Sequence, residues 1–368
     1  MADRTTWEWD VSSGTVGSPP GAERGAAPRD PAARLGARRR RRLAGLGVLA
    51  GALLLSCVLS IAVGAKPIPV AEVWGELIAP AGSENALIIW QLRLPRTIVG
   101  VLVGAALGLA GALMQGHTRN PIADPGLLGI TQGAALAVVL AVYSFGLTSL
   151  YGYIWFGFAG ALLGALAVFA IGSAGRAGAT PVTLALAGMA ISALLQALTS
   201  ALVLTDQQSL DTYRFWKVGS IAVTDPGVIW QVLPFLLAGL VLGLANAPGL
   251  NALSLGEDVA RGLGHRVRVT RRLGVLAIAV LVGASAAVCG PISFVGLVVP
   301  HVARFFTGAD HRWLLPFSAL LGSSLVLLAD IAGRLVARPA EVQVGVMLAM
   351  VGAPFFIALV RRRKLVRL

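Results

Sequence analysis

Residues 93–129 read RLPRTIVGVLVGAALGLAGALMQGHTRNPIADPGLLG. The apolar run from Thr97 to about Gly116 is some 20 residues long, enough for a helix to cross a bilayer core. Gly100, Gly104 and Gly108 recur every fourth residue and Gly111 extends the stripe. One face of this helix is therefore nearly bare backbone, which lets a neighbouring helix come close. A span facing lipid would be Leu-rich all round, so the stripe predicts a packed, central helix. Its ends differ. Arg93 and Arg96 flank Pro95 at one mouth, while Arg119, Asn120, Pro121, Asp124 and Pro125 form a polar turn at the other. Proline breaks a helix and extends the residue before it. Irregular backbone at membrane depth survives only against protein or water, so this turn is expected to line a cavity or dock a partner.

The rest of the chain agrees with a membrane setting. It has 368 residues, 13% of them charged, and a mean hydropathy of +0.79. These values describe an all-α polytopic membrane protein rather than a soluble globule. A net charge of +13 could suggest nucleic acid, but the charges sit in tails and loops between apolar spans, where orientation in the membrane explains them. Cys57 and Cys289 lie inside apolar runs, with no metal-ligand spacing, and are expected to pack as small apolar side chains.

Residues 1–42 are rich in Gly, Ala, Pro, Ser and Arg without apolar periodicity and read as a disordered basic tail. It closes in Arg38–Arg42, a run suited to anionic lipid on the cytoplasmic side. Ten spans follow in a transmembrane domain, 43–368, at about 43–63, 97–116, 126–143, 153–172, 182–204, 228–246, 272–289, 292–307, 313–333 and 343–360. The first is too long for a signal-peptide core and reads as uncleaved. An even count puts both termini on one side. With that side cytoplasmic, Lys and Arg divide 23 inside to 7 outside, which sets the orientation of a multi-pass cell-membrane protein. Six tryptophans (Trp74, Trp90, Trp155, Trp216, Trp230 and Trp313) fall near span ends, as in an interfacial belt. The outer connection 205–227 holds an amphipathic stretch, DTYRFWKVGS, expected to be a short interfacial helix. Spans two to five and seven to ten make two groups of four, offset by an odd number of spans and so inverted, the arrangement of repeats about a transport path.

Candidate chemistry is sparse. Asp330 is the one plausible acid within a span, and Arg334 lies one turn later on the same face. It is read as a local ion pair, with an intramembrane functional acid as the alternative. The chain has no G-x-x-x-x-G-K-[ST] loop, so it has no phosphate cradle of that type. Any ATP-driven step falls to another polypeptide, and no catalytic set appears. His117, His265, His301 and His311 are scattered and read as polar surface residues. In the largest inner loop, Ser254 and Glu257 have capping-box spacing, and Gly262 and Gly264 can stop the helix. This short helix in segment 251–266 is a docking element or an ordinary connector. Ser192, Gln196 and Thr199 share one face of the fifth span, either towards the path at a dimer axis or in helix-to-helix hydrogen bonds. Arg93, Arg96, Arg334 and Arg338 lie at outer span ends, where positive charge is disfavoured. Arginine forks suit carboxylates; lipid-headgroup anchoring is the alternative.

The stretch R-L-P-R, a Gly-rich span and Q-x-x-x-R-N-P-[LI]-A-D-P-x-x-L-G resembles the FecCD/BtuC-like permease subunit of ABC importers for iron-siderophores, haem and vitamin B12. Gly290–His301, reading GPISFVGLVVPH, and Gly352–Phe356, reading GAPFF, match the same family, and the resemblance runs from about Ala44 to Arg362. It implies a type II importer architecture and a transport subunit rather than an enzyme. It also implies a second permease, identical or paralogous, an extracytoplasmic substrate-binding protein and a cytoplasmic ATPase pair that holds ATP and magnesium. No cofactor or metal is expected on this chain. Carried over by motif, Leu255, Gly256, Glu257, Ala260, Leu263 and Gly264 form the ATPase coupling helix, Arg93, Arg96 and Arg334 receive glutamates of the binding protein, and Asn120-Pro121-Ile122 helps close the inner gate. Ile122 replaces the family's Leu at similar volume. The implied substrate is a ferric siderophore, with haem or cobalamin as alternatives. A secondary transporter driven by an ion gradient is the rival of another class, but it would need intramembrane acids or unwound half-helices that the sequence does not clearly show.

Overall fold

The computed structural model describes residues 31–64, 66–80, 82–174, 180–223 and 225–361, and every regular element among them is helical. The chain forms two compact units, Met1–Arg41 and Arg42–Leu368. Of the first, residues 31–41 are described and are helical. This differs from the structureless tail expected up to residue 42. Pro31 sits at the first helical position, where its fixed φ helps, and Ala, Arg and Leu follow, all good helix formers. The rest of that tail lies outside the described residues.

Helix α1 (Pro31–Ala62) is followed by α2 (Val70–Ile78) and α3 (Glu84–Leu87), and a π-turn over Ile88–Arg93 leads into α4 (Leu94–Thr118). A 3-10 turn, Pro125–Leu128, precedes α5 (Ile130–Phe145), α6 (Leu150–Ser173) and α7 (Pro181–Thr205). Then come α8 (Gln207–Val218), α9 (Gly227–Ala245), α10 (Ala247–Ser254) and α11 (Glu257–Gly262). The chain closes with α12 (Val267–Cys289), α13 (Val295–Thr307), α14 (His311–Val336) and α15 (Val344–Arg361). Among the described residues, seven helical stretches are long and apolar enough to cross a membrane, and α5, α13 and α15 are shorter apolar helices. Together they fall where the sequence places its ten spans, and the expected interfacial helix is α8.

Two spans begin later than read from hydropathy. The third starts at Ile130 rather than 126, because Pro125 and left-handed Gly129 (φ 70°) hold the chain in a separate turn. The eighth starts at Val295 rather than 292, after the break at Gly290-Pro291. Helices α2 and α3 were not anticipated. Trp74, Ile78 and Leu87 are exposed on this small element.

Helix α4 is the centre: 78% of its apolar window is buried. Its glycine face meets α14 backbone to backbone. Gly104 lies against Gly322 and Ser323, Gly108 against Ser318 and Gly322, and Gly111 against Gly296 of α13. The Ser323 hydroxyl donates to the Val101 carbonyl at 2.7 Å. In a membrane no hydrophobic force draws helices together, so close van der Waals contact and such bonds hold the pair. The two four-helix groups are α4–α7 and α12–α15. The first helix of each packs on the third of the other, α4 on α14 and α12 on α6. The α4 start (Arg96) faces the α14 end (Asp330), and the α4 end (Gly116, His117) faces the starts of α14 (His311) and α12 (Gly274). The groups therefore run in opposite senses, as an inverted repeat requires. By contrast, only 11% of the apolar window of α1 is buried.

A Cβ on Gly108 would overlap the Ser318 carbonyl oxygen, whereas one on Gly47 would meet nothing within 4 Å. Gly108→Val is therefore expected to cost about 1–3 kcal/mol by overpacking and to lower the melting temperature of the purified protein, while Gly47→Ala should leave it unchanged.

Candidate functional site

At the Arg96 end of the bundle, charges from three segments meet around one acid. Asp330 is fully buried, and its carboxylate accepts from Arg96 Nε and Nη2 (2.7–3.1 Å) and from Arg334 at 3.0 Å. Arg96 Nη1 reaches Glu341 at 2.6 Å. The Asp330–Arg334 pair was legible from its spacing. Arg96 is 234 positions away from Asp330, and nothing local marks it as the second partner. Other guanidinium nitrogens reach the backbone near the end of α1. Arg334 donates to Ser60 and Val63 carbonyls, Arg93 to Ile61, Ala62 and Lys66 carbonyls, and Arg338 to the Gly64 carbonyl, all at 2.5–3.0 Å. The last carbonyls of a helix lack partners within it, so Arg93 and Arg334 cap α1, and Arg338 holds the chain just beyond it. Arg93, Arg96 and Arg334, expected to receive carboxylates of a binding protein, are 5%, 9% and 2% exposed in this chain and carry partners within it. A charge in the membrane lowers its cost by pairing, and that cost drove all three inward.

Half-way down the bundle the two chain breaks meet. Pro125 of the 3-10 turn touches Gly296 at the start of α13. Between them lies a cavity of about 210 Å³ bounded by Asp124, Gly126, Thr131, Gln132, Ser285 and Ser293 among other residues. A second space of about 470 Å³ shares Thr131, Gln132, Pro291 and Ser293 and reaches Tyr213, Trp216 and Lys217 of α8. These two adjoining spaces lie between α8 and the place where both repeats interrupt their helices, the only kind of place such backbone is tolerated. At the head of α8, hydrogen bonds from Ser209 hold the Asp206 carboxyl below its usual range.

Of the three residues on one face of α7, Thr199 is fully buried and bonds the Leu195 carbonyl of its own helix, while Gln196 turns to Ser200 and Tyr213; Gln196 and Ser192 are half-buried. They lie apart from the two spaces above, and Leu186, Met189, Leu194 and Leu198 of the same helix are exposed. Asn120, Pro121 and Ile122 form a turn at the end of α4, where the Asn120 side chain accepts from Ile122 N, and the smaller of those spaces begins two residues later at Asp124. Thr131, Gln132, Ser285 and Ser293 were missed. The left-handed Gly129 before Thr131 and the G-P-I-S break were the available signals.

At the opposite end, the loop after α9 folds into α10 and α11. Ala260 is fully buried against Ala252, Leu253 and Val267, which fixes α11 and turns Leu255 (62% exposed), Val259 (50%) and Leu263 (62%) outward. Val259 and Leu263 lie one turn apart on α11, and Leu255, just before the break at Gly256, adds a third exposed apolar side chain. Val259 was not singled out from the sequence. The expected capping box does not form. Ser254 ends α10 and donates to Asn251 O, and Gly256 (φ 112°) caps α11. Glu257 pairs instead with Arg261 and Arg271. Gly264, also left-handed (φ 81°), stops the helix as expected. This loop is fastened to the core. Arg119 donates to the Leu253 carbonyl, and Asn251 bonds Asp310 and the His311 backbone at 2.8 Å. The histidine reading is corrected here, since His311 is 3% exposed and both ring nitrogens of His117 are buried.

A model of the FecCD transport family matches residues 52–362. The ferric enterobactin transport system permease protein of Escherichia coli K12 is 46% identical over 84% of this chain and 93% of its own length. The hemin transport system permease protein of Yersinia pestis is 41% identical over 75% and 84% respectively. A solved structure of an ABC transporter, proposed to be of the metal-chelate type and inward-facing, superposes with a TM-score of 0.75 at 31% identity, covering 89% of this chain and all of that one.

Removing the shared acid strands Arg334 and leaves Arg96 with Glu341 alone. Asp330→Asn is expected to destabilise the fold by about 3–5 kcal/mol, read as loss of the monodisperse protein in detergent; unchanged yield and melting would show that the cluster is dispensable.

Proposed function

The chain belongs to the FecCD transport family, and on that premise we propose that it is the membrane-spanning permease subunit of an ABC importer for ferric siderophores. It is a multi-pass membrane protein and a transport subunit. Relatives named for ferric enterobactin and for hemin keep haem as the second substrate reading.

One observation carries the mechanism: Leu255, Val259 and Leu263 are exposed on a loop tied to both α4 and α14. Exposed apolar side chains on and beside a short helix suit a groove on a partner. We assign that partner as a cytoplasmic ATPase dimer, with both termini of this chain on the same side. The ATPase holds ATP and magnesium and does the hydrolysis. When it closes, the loop moves, and Arg119 and Asn251 pass the motion to α4 and α14. Because those two helices touch backbone to backbone, they shift as one body rather than repacking. The corner 119–129 follows α4, and the space between Asp124 and Ser293 changes the side to which it opens. Two copies, or a copy and a paralogue, would frame the full path.

Docking of a binding protein belongs to the Arg96 end. Glu341 is the exposed member of that cluster and occupies Arg96 Nη1. An arriving carboxylate replaces it there, while Arg93 and Arg334 stay on α1. Glu341→Ala is then expected to strengthen binding-protein affinity a few-fold; a clear loss would reverse this assignment.

Leu255→Glu/Leu263→Glu should abolish co-purification of the ATPase and uptake of the ferric complex, with the permease still folded in the membrane. Retained equimolar ATPase in this variant would refute the coupling role.

A further inference from the structure

On the flank of the bundle, α6 and α12 leave an apolar groove of about 300 Å³ lined by Leu162, Ala165, Leu166 and Phe169 from one helix and Val275, Leu276 and Ala279 from the other. Its wall continues outward through Leu163 (64% exposed), Leu166 (62%), Leu273 (40%) and Leu276 (47%). At one end stands Arg272, with Arg268 one turn earlier on the same face. Both are exposed, and among the described residues neither has an acidic partner. Their neighbour Arg271 does, in Glu257. Both also lie in the first two turns of α12, where the helix dipole adds positive potential.

We infer that this groove binds an anionic phospholipid, its phosphate on Arg268 and Arg272 and one acyl chain along α6 and α12. The geometry separates the two halves of such a molecule: the cations stand at the helix start, and only apolar atoms lie deeper in the span. Basic pockets between helices select anionic headgroups in this way. The volume falls within the range of small-molecule sites. A second copy of the chain is disfavoured as occupant, because it would press the two unpaired guanidiniums against an apolar span and strip their water. Placing the lipid in the cytoplasmic leaflet rests on the orientation proposed above. The binding itself does not.

The test titrates delipidated full-length permease in detergent, where sidedness is lost. Phosphatidylglycerol is expected to raise the melting temperature, whereas phosphatidylcholine and free glycerol phosphate are not. Arg268→Gln/Arg272→Gln should melt like the parent without lipid and need about 30-fold more phosphatidylglycerol for the same rise. Ala165→Trp, which fills the groove and keeps both arginines, should weaken the response as well. An unchanged response in both variants overturns the proposal. So does a Leu166→Cys chain that cross-links to a second copy in native membranes, since the groove would then be a protein interface.

Discussion

The structure depends on one close approach. Helices α4 and α14 lie with Gly104 and Gly108 against Gly322, Ser318 and Ser323, near enough that no side chain fits between them. Lipid competes with protein for apolar side chains on nearly equal terms, so only contact this tight, with the Ser323–Val101 hydrogen bond, favours protein. The pair is locked at one end by Asp330 between Arg96 and Arg334, and at the other by Asn251 and Arg119 through α10. Contacts thus run without a gap from one end of the bundle to the other along this pair.

Around that pair the inverted groups place their helix breaks to meet within the bundle. Backbone freed by Pro125, Gly129, Gly290 and Pro291 cannot face lipid, so the two breaks face each other and enclose polar space. Cavity and breaks are one solution: the chain interrupts its helices where it can shelter the interruption. The short lengths of α5 and α13 follow from this. Each spends part of its membrane depth as non-helical chain.

Arginine serves two purposes here. At the Arg96 end it holds the structure together: Arg93 and Arg334 cap the otherwise orphaned carbonyls of α1, a helix with little packing of its own, and Arg338 holds Gly64 just beyond it. At the other end of α1, Arg42 reaches the Thr307 carbonyl and Asp310. Elsewhere, Arg268 and Arg272 stay exposed beside apolar groove walls. Burial and pairing distinguish a guanidinium used as a fastener from one available to a ligand.

The sequence by itself determined the ten spans, the central Gly-striped helix, the Asp330–Arg334 pair and the Gly-bounded loop helix, because hydropathy, four-residue spacing and proline act over a few neighbouring residues. It also carried the family, through long local motifs. Only the tertiary structure decided that Arg93, Arg96 and Arg334 are buried, that Arg96 joins Asp330, that Ser192, Gln196 and Thr199 lie apart from the two spaces within the bundle, and that Thr131, Gln132, Ser285 and Ser293 bound the smaller one. Each of these depends on which segments from distant parts of the chain meet. Burial of a charge in particular is set by the partner brought to it, and a partner more than 200 residues away leaves no mark on the local pattern.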